Sequence, residues 1–340
     1  MTAPDAPAPG GERSARSDGR RVLSIVVPML NEADNVEALH EKLADVAVRL
    51  DREIEIVFVD DGSTDETFEK IAAIRAKDPR VRGLKFSRNF GSHGACLAGF
   101  TYCTGDHAAI LAADLQDPPE LLSDMLAAAD EGYEVVWASR EGRDDPWTTV
   151  VFSNLYNRLM RQIALPNFPL KGFDFVLVSR KVLRTLTTRP ERNTSLFGQI
   201  LWAGFRQKSV PYTRLRRRSG RSKWTFGKKL KLAVDSFVGF SYFPIRLISL
   251  LGLTSATLGI LYAAVVVARR LMDAVPIEGW SSLMVVSLLL GGTQLVMLGV
   301  MGEYLWRALD ETRGRPPYIV ADTVGVTEPT AQSATSKREP

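Results

Sequence analysis

The segment Val57-Phe58-Val59-Asp60-Asp61-Gly62-Ser63-Thr64-Asp65 decides how the rest of the chain is read. Three β-branched or aromatic residues make the end of a buried strand, and two carboxylates, a glycine and two hydroxyls follow without a gap. A strand therefore ends in an acidic turn. Ser63 and Glu66 have capping-box spacing, which predicts a helix directly after the turn, running through about Ala76. In an open α/β sheet, ligands sit where the strands deliver their carboxyl ends. Acidic side chains there suit ribose hydroxyls, base N–H groups or a divalent metal. Taken alone, Asp60 and Asp61 would serve equally well as cap and turn residues.

The pattern recurs on both sides of this segment. Leu23 to Pro28 is a short apolar strand, with Asn31-Glu32 in the turn before an amphipathic helix from about Asn35 to Leu50. Val81 to Ser87 predicts a third strand, and Arg88-Asn89-Phe90-Gly91-Ser92-His93-Gly94 leads into the next helix. A lone histidine in a Gly-flanked turn, such as His93, reads as a cap or packing residue before a ligand or base. His107 to Ala113 is a continuous apolar run of the kind a parallel sheet buries on both faces. It ends in Asp114-Leu115-Gln116-Asp117-Pro118-Pro119-Glu120. Alternation along an extended segment puts Asp114 and Gln116 on one side, where their oxygens suit a hard cation such as Mg²⁺ or Mn²⁺. Asp117 is placed to cap a helix whose first turn holds Pro118. Tyr133 to Ser139 predicts a fifth strand, closing with Arg140.

Asn31-Glu32, Asp60-Asp61, Asp114-Gln116 and Arg140 thus stand at successive strand ends, all on one edge if the sheet is parallel. Independent accidents at every one of these ends are improbable, so together they point to a site. No G-x-G-x-x-G follows the first strand and no G-x-x-x-x-G-K-[ST] occurs, which argues against a dinucleotide oxidoreductase or a P-loop protein.

With 340 residues, 45% of them hydrophobic, the chain can bury one large core or two smaller ones, and much of the apolar excess lies after residue 245. Cys96 and Cys103 are the only cysteines, too few for a disulfide framework or a Cys-rich zinc site, and are expected to be reduced and buried. Residues 1–20 are Pro-, Gly- and Arg-rich and read as neither signal peptide nor folded element, and the end of the chain after about Asp322 reads the same way. From Pro146 to Ala164 apolar residues recur at helical spacing, which fits a core helix or one lying on a membrane. Asp174 sits among apolar neighbours in a strand from Phe173 to Val178, where a carboxylate needs a partner, a catalytic task or a salt bridge.

The net charge of +4 conceals nine Lys or Arg and no acid between Arg214 and Lys231. Within that run Arg214-Leu215-Arg216-Arg217-Arg218-Ser219-Gly220-Arg221-Ser222-Lys223-Trp224 combines arginine forks, a lysine, small hydroxyls and a glycine, which together suit a phosphate. An amphipathic stretch (226–244) follows, and then two uncharged segments of 22 residues each, Leu247 to Ala268 and Ser281 to Gly302. Each is long enough to cross about 30 Å of hydrocarbon. Arg307, Arg313 and Arg315 add to the basic run, against Arg269 and Arg270 in the intervening loop, so the positive-inside rule predicts a multi-pass plasma-membrane protein with a cytoplasmic soluble domain. The expected organisation is a disordered start (1–20), a catalytic domain (21–225), an interfacial helix (226–244), a transmembrane hairpin (245–306) and a cytoplasmic tail (307–340).

The series Val27-Pro28 with Asn31-Glu32, Val59-Asp60-Asp61-Gly62-Ser63, Ser87-Arg88-Asn89-Phe90-Gly91, Asp114-Leu115-Gln116-Asp117-Pro118-Pro119, Arg218-x-x-x-Ser222-Lys223 and Gly302-Glu303-Tyr304-Leu305 resembles the membrane-bound polyprenyl-phosphate glycosyltransferases. These are family 2 enzymes similar to dolichyl-phosphate mannose synthase and its bacterial undecaprenyl-phosphate relatives. The resemblance covers about residues 20 to 320. It implies an α/β GT-A fold with a mainly parallel sheet, a nucleotide-sugar donor (a UDP-sugar, or GDP-mannose), Mg²⁺ or Mn²⁺, a polyprenyl phosphate acceptor and inversion at the anomeric carbon. On that resemblance Pro28, Asn31, Glu32, Asp60, Asp61 and Arg140 would hold the nucleotide sugar. Asp114 and Gln116 would meet the metal, Arg218, Ser222 and Lys223 the acceptor phosphate, and Asp114 and Asp174 would be the catalytic carboxylates. Membrane lipids are expected partners and nucleic acid is not; a homo-oligomer is compatible with the sequence.

Two departures stand out. Ala112 occupies the first acidic place of the family's usual Asp-x-Asp, and Lys171-Gly172-Phe173-Asp174-Phe175 stands where many members have Asp-x-Gly-Asp-Phe. A processive polysaccharide synthase is the nearest alternative, but its Gln-x-x-Arg-Trp motif and additional spans are absent from the sequence. Ala112 keeps a second alternative open, an inactive membrane scaffold with a glycosyltransferase fold.

Overall fold

Alternation along the first strand divides the core in two. In the computed structural model, which describes residues 21–50, 52–114, 116–140, 157–158, 160–162, 173–188, 191, 195–212, 241, 243–271 and 279–326, strand β1 (Val22–Met29) is buried along nearly its whole length. Leu23, Ile25 and Val27 pack with Val36, Leu39 and Leu43 of helix α1 (Ala33–Arg49). Val26 faces the other way, onto Ala95 and Ala98 of helix α3 (Ser92–Tyr102). Between these helices come β2 (Glu53–Asp60), α2 (Thr67–Lys77) and β3 (Val81–Phe86). They are followed by β4 (His107–Ile110), α4 (Leu122–Asp130), β5 (Val135–Arg140), β6 (Phe173–Ser179), α5 (Arg180–Thr188), α6 (Leu196–Trp202) and β7 (Gln207–Tyr212). Apolar residues of α1, α2 and α4 cover one face of the sheet, and those of α3, α5 and α6 the other. The result is a three-layer α/β/α sandwich.

With β8 (Val320–Val324), the strands form one sheet in the order β7-β5-β6-β4-β1-β2-β3-β8. The β1–β2, β1–β4, β2–β3 and β5–β7 pairs are parallel, while β6 is antiparallel to both β4 and β5, and β8 to β3. β1 to β5 therefore share a direction, and their carboxyl ends share one edge.

Several local expectations give way to longer-range contacts. The chain beyond 307 does not form a separate tail throughout, because Val320–Val324 completes the sheet. The Ser63–Glu66 capping box does not form: Ser63 Oγ accepts the Asn31 amide at 2.8 Å, and the Thr67 amide donates to Asp65 Oδ1 at 3.1 Å instead. β4 stops at Ile110, and Asp114 lies in a turn in which its Oδ1 accepts the Gln116 amide at 3.2 Å. Asp114 and Gln116 are thus neighbours through a turn and not through strand alternation. Asp117 caps no helix. It is 1% exposed and its Oδ1 accepts the Tyr212 hydroxyl at 2.7 Å, while a short 3₁₀ turn begins at Pro119. Cys96 and Cys103 are free and buried.

Helices α7 (Phe243–Leu271) and α8 (Trp280–Thr312) are long and apolar enough to cross a membrane, over Ile245–Val265 and Leu283–Thr312. Arg269 and Arg270 extend α7 and are not in the loop between the helices, and Trp280 opens α8. Much of 226–244 and of the helix expected over 146–164 lies outside the described residues.

At the opposite edge of the sheet, Glu55 of β2 is 6% exposed and joins three strands. It accepts from Ser24 Oγ on β1, from the Gly105 amide at 3.2 Å and from Thr104 Oγ1 at 2.8 Å, and it pairs with Arg82 of β3 at 3.2 Å. Removing one partner of a buried pair typically costs about 3–5 kcal/mol. Glu55→Ala should therefore lower the unfolding midpoint of the sheet domain in detergent by roughly 6–12 °C, whereas Glu53→Ala on the exposed end of the same strand should shift it by no more than about 2 °C.

Candidate active site

Two turns at the carboxyl edge are locked to each other by side chains. Asn31 follows β1 with a φ of 51°, a left-handed conformation that asparagine tolerates better than most residues. Its amide donates to Ser63 Oγ at 2.8 Å, and its Oδ1 accepts the Thr64 amide at 2.9 Å. The Glu32 amide donates to Thr67 Oγ1 at 3.0 Å and the Ala33 amide to Asp65 Oδ2 at 3.3 Å. Glu32 Oε2 in turn accepts Asn35 Nδ2 at 2.7 Å. Pro28, partly exposed on β1, pairs in register with Val59 just below these turns.

Asp60 and Asp61 have different tasks. Asp60 ends β2 with no exposure. Its Oδ1 accepts the Ser63 amide at 2.8 Å, and its Oδ2 has no hydrogen-bond partner among the described residues. Burial is the main cause that pushes its pKa up. A carboxylate oxygen buried without a donor costs about 1–3 kcal/mol or more, which a ligand N–H would offset. Asp61 is 4% exposed and is spent on the loop after β3: it accepts the Phe90 amide at 2.6 Å and the Gly91 amide at 2.9 Å. Gly62, with φ 74°, lies against that loop. A Cβ there would stand 2.5 Å from the Arg88 carbonyl carbon and 2.8 Å from the Asn89 nitrogen, so only glycine fits.

Asp114 and Gln116 are both partly exposed at the same edge. Arg140 closes β5, its backbone in register with Tyr212. The antiparallel course of β6 brings the backbone of Asp174, its second residue, to this edge as well, between positions paired with Ser139 and Ala138. Arg218, Ser222 and Lys223 lie outside the described residues. Among the described residues no group of three His, Cys, Asp or Glu side chains could hold a metal by itself.

His93 is a packing residue. Its ring meets Phe197 edge-on at 5.7 Å, and burial pushes its pKa down to about 4, so it is neutral. Sequence reasoning did not assign the bracing roles of Ser63, Thr64, Asp65 and Tyr212. Each was visible as a polar residue at a strand end, but its partner lies 31 or more residues away in four of the five contacts.

Burial, the largest cause, pushes Asp61 up to about 6, with the Phe90 and Gly91 amides pulling the other way. A carboxyl whose folded pKa exceeds its unfolded value of about 3.9 contributes stability that is fully present below that value and is lost as pH rises through the folded pKa. The stability difference between wild type and Asp61→Asn should therefore shift against wild type, by on the order of 3 kcal/mol, as pH rises from about 4 to 7. Thermal unfolding of both proteins across that range measures it.

Comparison with known proteins places this geometry in a family. Residues 24–187, from β1 to α5, match Glycosyl transferase family 2. An uncharacterized glycosyltransferase of Bacillus subtilis is 38% identical over 304 residues, 89% of this chain and 94% of its own length. One of Synechocystis is 36% identical over 305 residues, 89% of this chain and 96% of its own. The SfII prophage-derived bactoprenol glucosyl transferase of Shigella flexneri is 35% identical over 303 residues, 88% of this chain and 97% of its own. These relatives are matched along nearly their whole lengths, helix pair included, and the chain belongs to glycosyl transferase family 2.

Proposed function

We propose that this glycosyltransferase moves a hexosyl group from a nucleotide sugar, a UDP-sugar before GDP-mannose, to a polyprenyl phosphate at the cytoplasmic face of the plasma membrane. The observation that carries the reading is the convergence of Asn31, Glu32, Asp60, Asp114, Gln116 and the start of β6 on one sheet edge, in a chain that also carries two membrane-length helices. Its likeness to a bactoprenol glucosyl transferase across those helices supports a lipid acceptor. The excess of basic residues on the catalytic side of the helix pair supports the cytoplasmic orientation.

Glu32, Asp60 and Pro28 take the nucleoside. Asp60 Oδ2 is a ready acceptor for a base N–H, reached by a small shift of the turn that covers it. Asp61 positions the loop beside it. One carboxylate and one amide oxygen, Asp114 and Gln116, suit a Mg²⁺ or Mn²⁺ that arrives with a diphosphate and keeps several waters. When bound, that cation offsets charge on the departing nucleoside diphosphate. An oxygen of the acceptor phosphate bonds to the anomeric carbon from the opposite face as the bond to the diphosphate oxygen breaks, and the diphosphate leaves with the electron pair. The phosphate is already an anion at neutral pH, so the step needs positioning more than deprotonation. Asp174 serves that positioning, or acts as a weak base, and Arg218, Ser222 and Lys223 grip the phosphate.

Incubating the purified protein with undecaprenyl phosphate and a panel of UDP- and GDP-sugars tests the reading; absence of any lipid-linked sugar product would reject it. Asp114→Ala should reduce transfer by at least about a hundred-fold in saturating Mn²⁺ while leaving the unfolding midpoint unchanged. The basic loop and the amphipathic segment after it should also separate. Lys223→Ala should weaken use of the lipid phosphate by roughly ten- to a hundred-fold at unchanged donor affinity, and Lys229→Ala should change either by no more than about two-fold. An equal small loss in both variants, vanishing in neutral detergent, would make the segment a general membrane anchor.

A further inference from the structure

The chain that leaves the second apolar helix runs back over the donor edge. After Gly314 (φ 58°) it reaches Tyr318, which lies flat on Phe86 with ring centroids 5.3 Å apart and planes within 6°. Phe86 meets Phe90 edge-on at 5.7 Å. The Ile319 carbonyl, one residue on, accepts the Ser87 amide at 3.0 Å. Phe90 is also the residue whose amide Asp61 holds at 2.6 Å. A continuous row of contacts therefore joins the end of the membrane helix to the acidic turn.

We propose that Tyr318 is a positioning residue for the nucleotide-sugar donor, acting through Phe86 and Phe90 to keep the Arg88–Gly91 loop against Asp61. The proposal rests on the donor reading given above. The loop has no regular secondary structure, and the Asp61 bonds and the aromatic row hold its two sides. Stacked aromatic pairs add about 0.5–1.5 kcal/mol beyond the area they bury, enough to bias a short loop but not to fold a domain. The loop cannot shift alone, because the Arg88 and Asn89 backbone lies so close to Gly62 that not even a methyl group would fit between them. Close packing of this kind transmits displacement, and Gly62 adjoins both Asp60 and Asp61. Loss of the Tyr318 ring should therefore be felt at the donor and not at the acceptor phosphate.

The test uses the full-length protein in lipid nanodiscs, with UDP and GDP in the presence of Mn²⁺ as probes. Amide hydrogen exchange is followed at Phe90 and Gly91. In Tyr318→Ala these amides should exchange at least about ten-fold faster, and the nucleotide that wild type binds should bind about ten-fold more weakly, with KM for undecaprenyl phosphate within about two-fold of wild type. Tyr318→Phe, which keeps the ring, should recover most of both effects. Leu183→Ala, a buried α5 residue on the same face of the sheet, supplies a comparably destabilised control in which exchange and nucleotide affinity stay as in wild type. Unchanged exchange and affinity in Tyr318→Ala, or an equal loss of affinity in Leu183→Ala, would overturn the proposal. If wild type binds neither nucleotide, the donor reading fails and the positioning role fails with it. The exchange data would then still report whether the ring holds the loop.

Discussion

The carboxylate of Asp61 fixes where the turns at the carboxyl edge of the sheet stand. The last β1–β2 hydrogen bond is the one the Asp61 amide donates to the Met29 carbonyl at 2.8 Å, and beyond that point the chain has no ladder to define its path. Asp61 supplies the definition by placing a buried negative charge between the β2 turn and the β3 loop, where two backbone amides meet it. Burial raises the Asp61 pKa against the pull of those bonds, so the ionised carboxylate is less favoured here than in the unfolded chain. What it secures is position: Gly62 can sit flush on Arg88 and Asn89, and Asp60 is left beside it with an oxygen to spare. Asn31 repeats the device one strand over, where its strained backbone and its amide bind the first turn to the second.

The parts of this architecture that depend on short periods were legible in the sequence. Period-two alternation in Leu23–Met29 assigns residues to both faces of a buried sheet, and helical spacing in Val36, Leu39 and Leu43 identifies the stripe that covers one of them. The polar residues at consecutive strand ends were legible as well, and the shared direction of β1 to β5 brings them to one edge of the sheet. Sequence spacing misled where a side chain had a better partner far away. Ser63 has the spacing of a cap, yet the Asn31 amide claims its hydroxyl, and Asp117 has that spacing too, yet it meets Tyr212 across the sheet. Strand β8 carried almost no signal. An edge strand is held by backbone bonds that every residue can make, and Val320–Val324 shows no buried face.

Helices α7 and α8 obey a different solvent. Leu253, Ile260 and Leu295 are 67%, 70% and 71% exposed, and such side chains occur all round both helices. A soluble protein seldom leaves apolar surface of that extent uncovered, and hydrocarbon is the medium in which it carries no penalty. At 1.5 Å per residue the helices of 29 and 33 residues measure about 44 and 50 Å, longer than the roughly 30 Å core of a bilayer. Each is therefore long enough to cross the hydrocarbon with turns to spare at its ends.

Two reversed strands then determine what can meet at the catalytic edge. Were β6 parallel to its neighbours, its first residues would lie at the far edge, and Asp174 would stand about 20 Å from Asp60 and Asp114. Reversal places the start of β6 beside the ends of β4 and β5, so the backbone of a residue from a later part of the chain reaches the edge where the earlier strands end. The reversal of β8 acts on a larger scale. Its first residue, Val320, pairs with Phe86 at the carboxyl end of β3, so the chain returning from α8 must arrive at the catalytic edge. Tyr318 stands only six positions after Thr312, the end of α8, a reach of about 20 Å at full extension. The end of α8 is thereby tethered within that distance of Tyr318, whose ring stacks on Phe86 at the carboxyl end of β3.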